Sequence, residues 1–193
     1  MAAGIPLVPT APADQYAWAV QQANREYPRI APFDFRLTYN PKREGYSETF
    51  PPRGEEANPF PGHWAVEMGN SPLYRDPRSW PGIVALESLH ALQAEDPRYQ
   101  AMTTQLLRGL TPRQLEMGRR SYDQRLVNDP GDRRSYEQFM YQVFLPEMIR
   151  GRMFAPYFHR WENAPSSGWN EYQYTHPQQK LIDQIEQYMR SSG

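Results

Sequence analysis

The stretch that decides the fold is SWPGIVALESLHALQAED, residues 79–96. Its apolar side chains recur at helical spacing, which predicts one long helix. The hydroxyl of Ser79 can cap the first turn, where Pro81 needs no backbone donor. Pro97 ends the helix, because the residue before a proline is disfavoured in helical conformation.

The segments around this helix predict a mostly helical α+β domain with a small sheet. Alternating runs predict strands at 33–39 and 63–68, and residues 40–62, rich in Pro and Gly, predict a long loop between them. Further helices are predicted over 14–27, 97–108, 112–127, 136–151 and from Pro177 onward. We therefore expect two or three strands, five to six helices and extended arms rich in Pro and aromatic residues.

Three of these helices begin with a capping box, in which a Thr or Ser and a Gln three residues later each bind a free backbone amide. The three pairs are Thr111 with Gln114, Ser135 with Gln138, and Thr175 with Gln178. In the helix at 112–127, the spacing of Leu115, Tyr122 and Leu126 predicts that this face points into the core.

The ends of the chain differ in composition from the middle. Residues 1–12 read as a polyproline-like arm, 13–152 as a compact core, and 153–193 as an aromatic wrap followed by a helix. Aromatic side chains bury large areas at low entropic cost, so the wrap is predicted to bind other protein subunits. The residues expected to make those contacts are Tyr157, Trp161, Trp169 and Tyr172. Packing of the wrap on its own domain is the alternative.

Charge and cysteine content narrow the classes of partner. Lys plus Arg (21) nearly equal Asp plus Glu (22), so nothing draws the whole chain to nucleic acid or an anionic membrane. Acidic residues interleave the basic cluster of Arg119, Arg120, Arg125, Arg133 and Arg134, which favours a solvated surface. The chain has no cysteine. Its start lacks the features of a signal peptide, so we expect cytoplasmic synthesis.

One local cluster contains residues of the types that bind metals and activate water. Leu86-Glu87-Ser88-Leu89-His90 follows the spacing H-E-x-x-H, in which two histidines on one helix face bind zinc and the glutamate activates a metal-bound water. Leucine replaces the first histidine here, and leucine cannot bind zinc.

In its order of strand, loop, strand and motif helix, the stretch 33–150 resembles the zincin metallopeptidases. The resemblance implies that Glu87 is the general base and His90 a zinc ligand. It places the third ligand on a later helix, where Glu137 is the best candidate and Glu147 the second.

Three other interpretations of the pair stay open. His63 or His159 can replace the missing ligand from a loop, or Glu87-x-x-His90 can be half of a two-metal carboxylate site, which needs a second such element. In the third, Glu87 faces solvent and His90 lies at the edge of the core.

These observations lead to one expected function and two alternatives. We expect a non-catalytic structural or interaction protein of a larger assembly, with no cofactor, and a bacteriophage virion is a setting that suits its extended arms. The first alternative is a zinc-dependent hydrolase, either a peptidase or a cell-wall endopeptidase. The second is an accessory to nucleic-acid packaging that uses the arginines of 113–134.

Overall fold

The computed structural model describes residues 12–44, 47–53, 58–70, 72–153 and 172–192. It confirms a mostly helical α+β fold with a three-stranded sheet. Strands β1, β2 and β3 span Arg36–Glu44, Ser47–Phe50 and Ala65–Asn70. Helices α1 to α7 span Pro12–Glu26, Trp80–Glu95, Pro97–Arg108, Pro112–Asn128, Tyr136–Phe139, Leu145–Met153 and His176–Arg190.

The chain divides into two compact units. The first comprises residues 1–91 with 189–193, and the second comprises residues 92–188. The predicted arm at 1–12 lies outside the described residues except for Pro12, and most of the predicted wrap, residues 154–171, does so as well. No helix in the described ranges is long and apolar enough to cross a membrane.

The first unit holds the sheet, in the order β1-β3-β2. Strand β3 is parallel to β1, with Leu37 paired to Val66, and antiparallel to β2, with Thr49 paired to the same Val66. Leu37, Phe50, Val66 and Met68 are buried. Burying these apolar side chains is the main term that stabilises the sheet.

The strand predicted at 33–39 and the loop predicted at 40–62 were both wrong in part. The first predicted strand starts at Arg36 instead of residue 33, because a 3-10 turn covers Pro28–Phe33 and Asp34 takes a left-handed conformation with φ 45°. Strand β2 lies inside the segment predicted as a loop. Its sequence Ser-Glu-Thr-Phe lacks the apolar alternation that marks a half-buried strand.

Helix α2 is buried around its whole circumference in the first unit, where every residue from Ile83 to Leu89 is buried. Such a helix belongs to the interior of a fold. The predicted cap is wrong, because the Ser79 hydroxyl donates to the Asp76 carbonyl, 2.8 Å away, in a preceding 3-10 turn. The Trp80 ring anchors the start of α2 by stacking on Tyr16, with ring centroids 5.1 Å apart.

All three predicted capping boxes form, and two of them contact each other in the second unit. Gln114 Nε2 donates to Gln178 Oε1 at 3.0 Å, and Gln178 Nε2 donates to Gln114 Oε1 at 2.8 Å. Each carbonyl oxygen also accepts its own cap amide, that of Thr111 or Thr175. The remaining amide hydrogens go to the carbonyls of Tyr172 and Gly109. This buried amide pair joins the beginnings of α4 and α7.

A π-helical turn, Met140–Phe144, separates α5 from α6. In a regular helix the ring of Pro146 would clash with the carbonyl of Gln142, four residues earlier, and Gln142 lies in this turn. The kink predicted at Pro146 stays a prediction. The helix continues to Met153, so the predicted end at Gly151 was wrong.

The predicted inward face of α4 was wrong for Leu115 and Leu126, whereas Tyr122 is half-buried and packs on the buried Phe139, with ring centroids 5.4 Å apart. Leu115 and Leu126 are 43% and 36% exposed, whereas Gln114 and Gly118 are buried. Gly118 permits the close approach, because a Cβ at this position would lie 2.4 Å from Met140 Sδ. The inward face is therefore set by one small residue, one paired amide and the Tyr122 ring rather than by the leucines.

Candidate functional site

Glu87 lies on α2 with only 4% of its surface exposed, so the interpretation that it faces solvent is wrong. Its two carboxylate oxygens accept hydrogen bonds from two hydroxyls of β2. Ser47 Oγ donates to Oε1 at 2.5 Å, and Thr49 Oγ1 donates to Oε2 at 2.6 Å. Residues two apart on a strand share one face, which brings both hydroxyls to the same carboxylate. A buried charge is tolerated when it is paired or hydrogen-bonded in this way.

Two further side chains border this carboxylate. The Tyr74 hydroxyl donates to Ser47 Oγ at 3.3 Å and extends the hydrogen-bonded chain. His90 Nε2 lies 4.0 Å from Glu87 Oε2, and its side chain is 36% exposed. This separation is too long for a hydrogen bond. His90 therefore lies at the edge of the core beside the Glu87 site, as one interpretation of the sequence predicts.

The residues around Glu87 do not make up the ligand set of a catalytic zinc site, which normally has three protein ligands. Leu86, at the position of the first ligand, is 4% exposed and belongs to the core. No group of three His, Cys, Asp or Glu side chains suited to a metal occurs in the described ranges.

The other ligand candidates have partners of their own. Glu137 is exposed at the start of α5, where its own backbone amide and the Ser135 hydroxyl lower the pKa of its carboxyl group. Glu147 pairs with Arg150 at 3.2 Å. His63 Nδ1 lies 2.9 Å from the carboxylate of Asp34. His159 lies outside the described residues.

One of the four residues predicted to bind partners is described. The Tyr172 ring packs against Phe144 and Tyr174, with centroids 5.6 and 6.0 Å away. Tyr157, Trp161 and Trp169 lie outside the described residues, so their role stays a prediction.

The basic cluster of the second unit is interleaved with carboxylates. Arg125 and Arg134 both bind Asp132, at 2.5 and 2.6 Å. Arg119 lies 3.6 Å from Asp123, and Arg120 lies 3.8 Å from Glu116. Each of these four guanidinium groups thus has an acidic neighbour, an arrangement typical of a solvated surface.

Sequence reasoning missed Ser47 and Thr49, the residues that bind Glu87. One signal for them exists, because a glutamate inside an apolar helix must find hydrogen-bond donors when the helix is buried. That signal does not say where along the chain the donors lie.

Compared with models of protein families, with curated proteins and with solved structures, the chain matches none of them. The residues around Glu87 are therefore the basis on which a function is proposed.

Proposed function

We propose that this chain is a non-catalytic structural or interaction protein of a larger assembly, in which Glu87 holds β2 against α2. The observation that carries the proposal is the pair of short hydrogen bonds from Ser47 and Thr49. Because both of its oxygens accept hydrogen bonds from hydroxyls of β2, the Glu87 carboxylate has a structural role, holding this strand against α2.

The zinc-hydrolase alternative needs a different arrangement of the same residues. A general base must reach the proton of a metal-bound water in hydrogen-bonding distance. Glu87 would have to release the two hydroxyls, and His90 would need two further ligands where Leu86 supplies none. The described residues therefore favour the structural role over catalysis.

Contacts with other subunits are assigned in this proposal to residues 1–12 and 153–193. The support is compositional, since aromatic side chains are enriched in interfaces. A virion is the kind of assembly that we propose. Limited proteolysis with chymotrypsin, which cleaves after Tyr157, Trp161 and Trp169, should cut the free chain there first, and incorporation into the assembly should protect these sites. Equal protection of these sites in the free chain would contradict the proposal that residues 153–193 contact other subunits.

The proposed role of Glu87 is tested with two variants. The first removes the carboxylate alone, and the second also removes the two hydroxyls that bind it. Glu87→Leu alone leaves the part-buried hydroxyls of Ser47 and Thr49 without their acceptor, which should cost about 1–3 kcal/mol of unfolding free energy. Adding Ser47→Ala and Thr49→Val removes the stranded donors as well and should recover at least half of that loss, because replacing both partners by apolar groups can be nearly neutral.

The matched control is His90→Ala, which should change stability little because His90 makes no hydrogen bond to the carboxylate. Elemental analysis of the natively purified chain should find no stoichiometric zinc. One zinc per chain that is lost in His90→Ala, together with hydrolytic activity that Glu87→Gln abolishes without unfolding the protein, would overturn the proposal in favour of the hydrolase.

A further inference from the structure

The corner between α2 and α3 satisfies its backbone groups with side chains. The Asp96 carboxylate accepts two backbone amides of the first turn of α3. Gln100 Nε2 donates to the carbonyls of Gln93 and Ala94, 3.1 and 3.2 Å away, where α2 ends. The last carbonyls of a helix have no partner within the helix, so these bonds supply what the end of α2 lacks.

The side chain of Gln93 differs from its surroundings at this corner. It is 6% exposed, and both ends of its amide, Oε1 and Nε2, are buried and find no hydrogen-bond partner among the described residues. A side-chain amide has two hydrogens to donate and an oxygen that accepts two hydrogen bonds. Removing such a group from water without replacing its hydrogen bonds is unfavourable. Buried amides in folded proteins are therefore bonded either to the protein or to ordered water.

A second buried glutamine of the same unit has the partners that Gln93 lacks. Gln114 is 1% exposed, and its Nε2 donates to the Tyr172 carbonyl at 2.8 Å and to Gln178 Oε1 at 3.0 Å. Its Oε1 accepts the Thr111 amide and Gln178 Nε2. The two glutamines are comparably buried, so the difference between them lies in the partners that the described part of the chain supplies.

We propose that the Gln93 amide is the binding site of one ordered internal water molecule. Water fits this group because it both donates and accepts hydrogen bonds, and because it is small enough to leave Gln93 buried. The neutral amide has no charge with which to stabilise a buried ion. Internal waters make about three hydrogen bonds each. Backbone carbonyls, whose oxygens accept two hydrogen bonds, supply the bonds that the amide does not.

Contacts with water in solution test the proposal on the full chain. In rotating-frame NMR spectra, a dipolar contact with water gives a cross-peak of opposite sign to one that arises from chemical exchange. The side-chain amide protons of Gln93 should show a contact peak to water. Gln114 is the matched control, because its amide hydrogens are equally buried but bonded to the protein, and they should show no such peak.

Gln93→Met gives a second, independent measurement. Methionine keeps an unbranched, flexible side chain but removes the amide. Oxygen-17 relaxation dispersion should count one long-lived water fewer per chain in this variant, and the midpoint of urea unfolding should stay unchanged or fall. Gln138→Met changes an exposed glutamine and should leave the count of long-lived waters unchanged.

Three results would each overturn the proposal. The first is a Gln93 amide without a contact peak to water. The second is a Gln93 amide that exchanges its protons with solvent as fast as that of Gln138, since the side chain would then reach the surface. The third is a clear rise of the unfolding midpoint in Gln93→Met, because removing a buried amide that has no partner at all stabilises a folded protein. The inference concerns the second unit and does not depend on the role of Glu87.

Discussion

Gln114→Ala removes one half of the buried amide pair that joins the beginnings of α4 and α7. The Gln114 side chain takes part in four hydrogen bonds, two with Gln178, one with the Thr111 amide and one with the Tyr172 carbonyl. A hydrogen bond contributes about 1 kcal/mol net, and each group left buried without a partner costs about 1–3 kcal/mol more. We expect the free energy of unfolding to fall by about 3–5 kcal/mol.

The same chain offers a matched control for this substitution. Gln138 closes a capping box of the same design at the start of α5, but it is exposed, and within the described ranges no second glutamine pairs with it. Gln138→Ala should therefore cost no more than about 1 kcal/mol, the usual value for one helix cap. The difference between the two variants isolates the contribution of burial and of the pairing.

A double-mutant cycle with Gln178→Ala measures the pairing itself. Each single variant strands the amide of the other glutamine, so the loss in the double variant should fall short of the sum of the single losses by about 1–3 kcal/mol. Urea unfolding followed by circular dichroism gives all four free energies, with an unchanged slope against denaturant required for the comparison. Additive losses, or a Gln114→Ala loss equal to that of Gln138→Ala, would refute the reasoning.

Two further substitutions test buried polar groups of the second unit. Hydrogen bonds from Arg134 and Arg125 hold the pKa of Asp132 well below its usual range. The charge of Asp132 therefore stabilises the fold at pH values above its unfolded-state pKa of about 4. This stabilisation is lost progressively as the pH falls below about 4. With both arginines partly exposed, Asp132→Asn should cost about 1 kcal/mol at neutral pH and progressively less below pH 4 in unfolding titrations; a constant difference would contradict it. Tyr99 has a fully buried hydroxyl that finds no hydrogen-bond partner among the described residues. Tyr99→Phe should leave the melting temperature unchanged or raise it, and a clear loss of stability would show that the hydroxyl has a partner.

The helices could be predicted well because their signals are local. All three capping boxes form, and the helix predicted from Pro177 onward is α7, which buries Ile182 and Ile185 fully. A cap motif and a 3.6-residue period need only neighbouring residues to act.

Features that depend on distant residues could not be predicted. The Ser47 and Thr49 hydroxyls that bind Glu87 come from a strand about forty residues earlier, and no local pattern points to them. The buried face of α4 depends on Gly118 and Gln114, which a hydrophobic pattern assigns to the outside. The sequence therefore singles out Glu87 and His90 but not the hydroxyls that Glu87 binds, and the catalytic and metal-binding roles of the pair stay predictions.

The position of Glu87 also favours one alignment of β2 in the sheet. This strand has only four residues, and its side chains do not alternate between apolar and polar, so hydrophobicity alone specifies its alignment poorly. Sliding β2 by one residue would turn Ser47 and Thr49 away and point Glu48 at Glu87. Two carboxylates would then face each other in the interior, which is strongly unfavourable. The buried glutamate thus selects one alignment of the edge strand β2 and disfavours the alignments that are shifted by one residue.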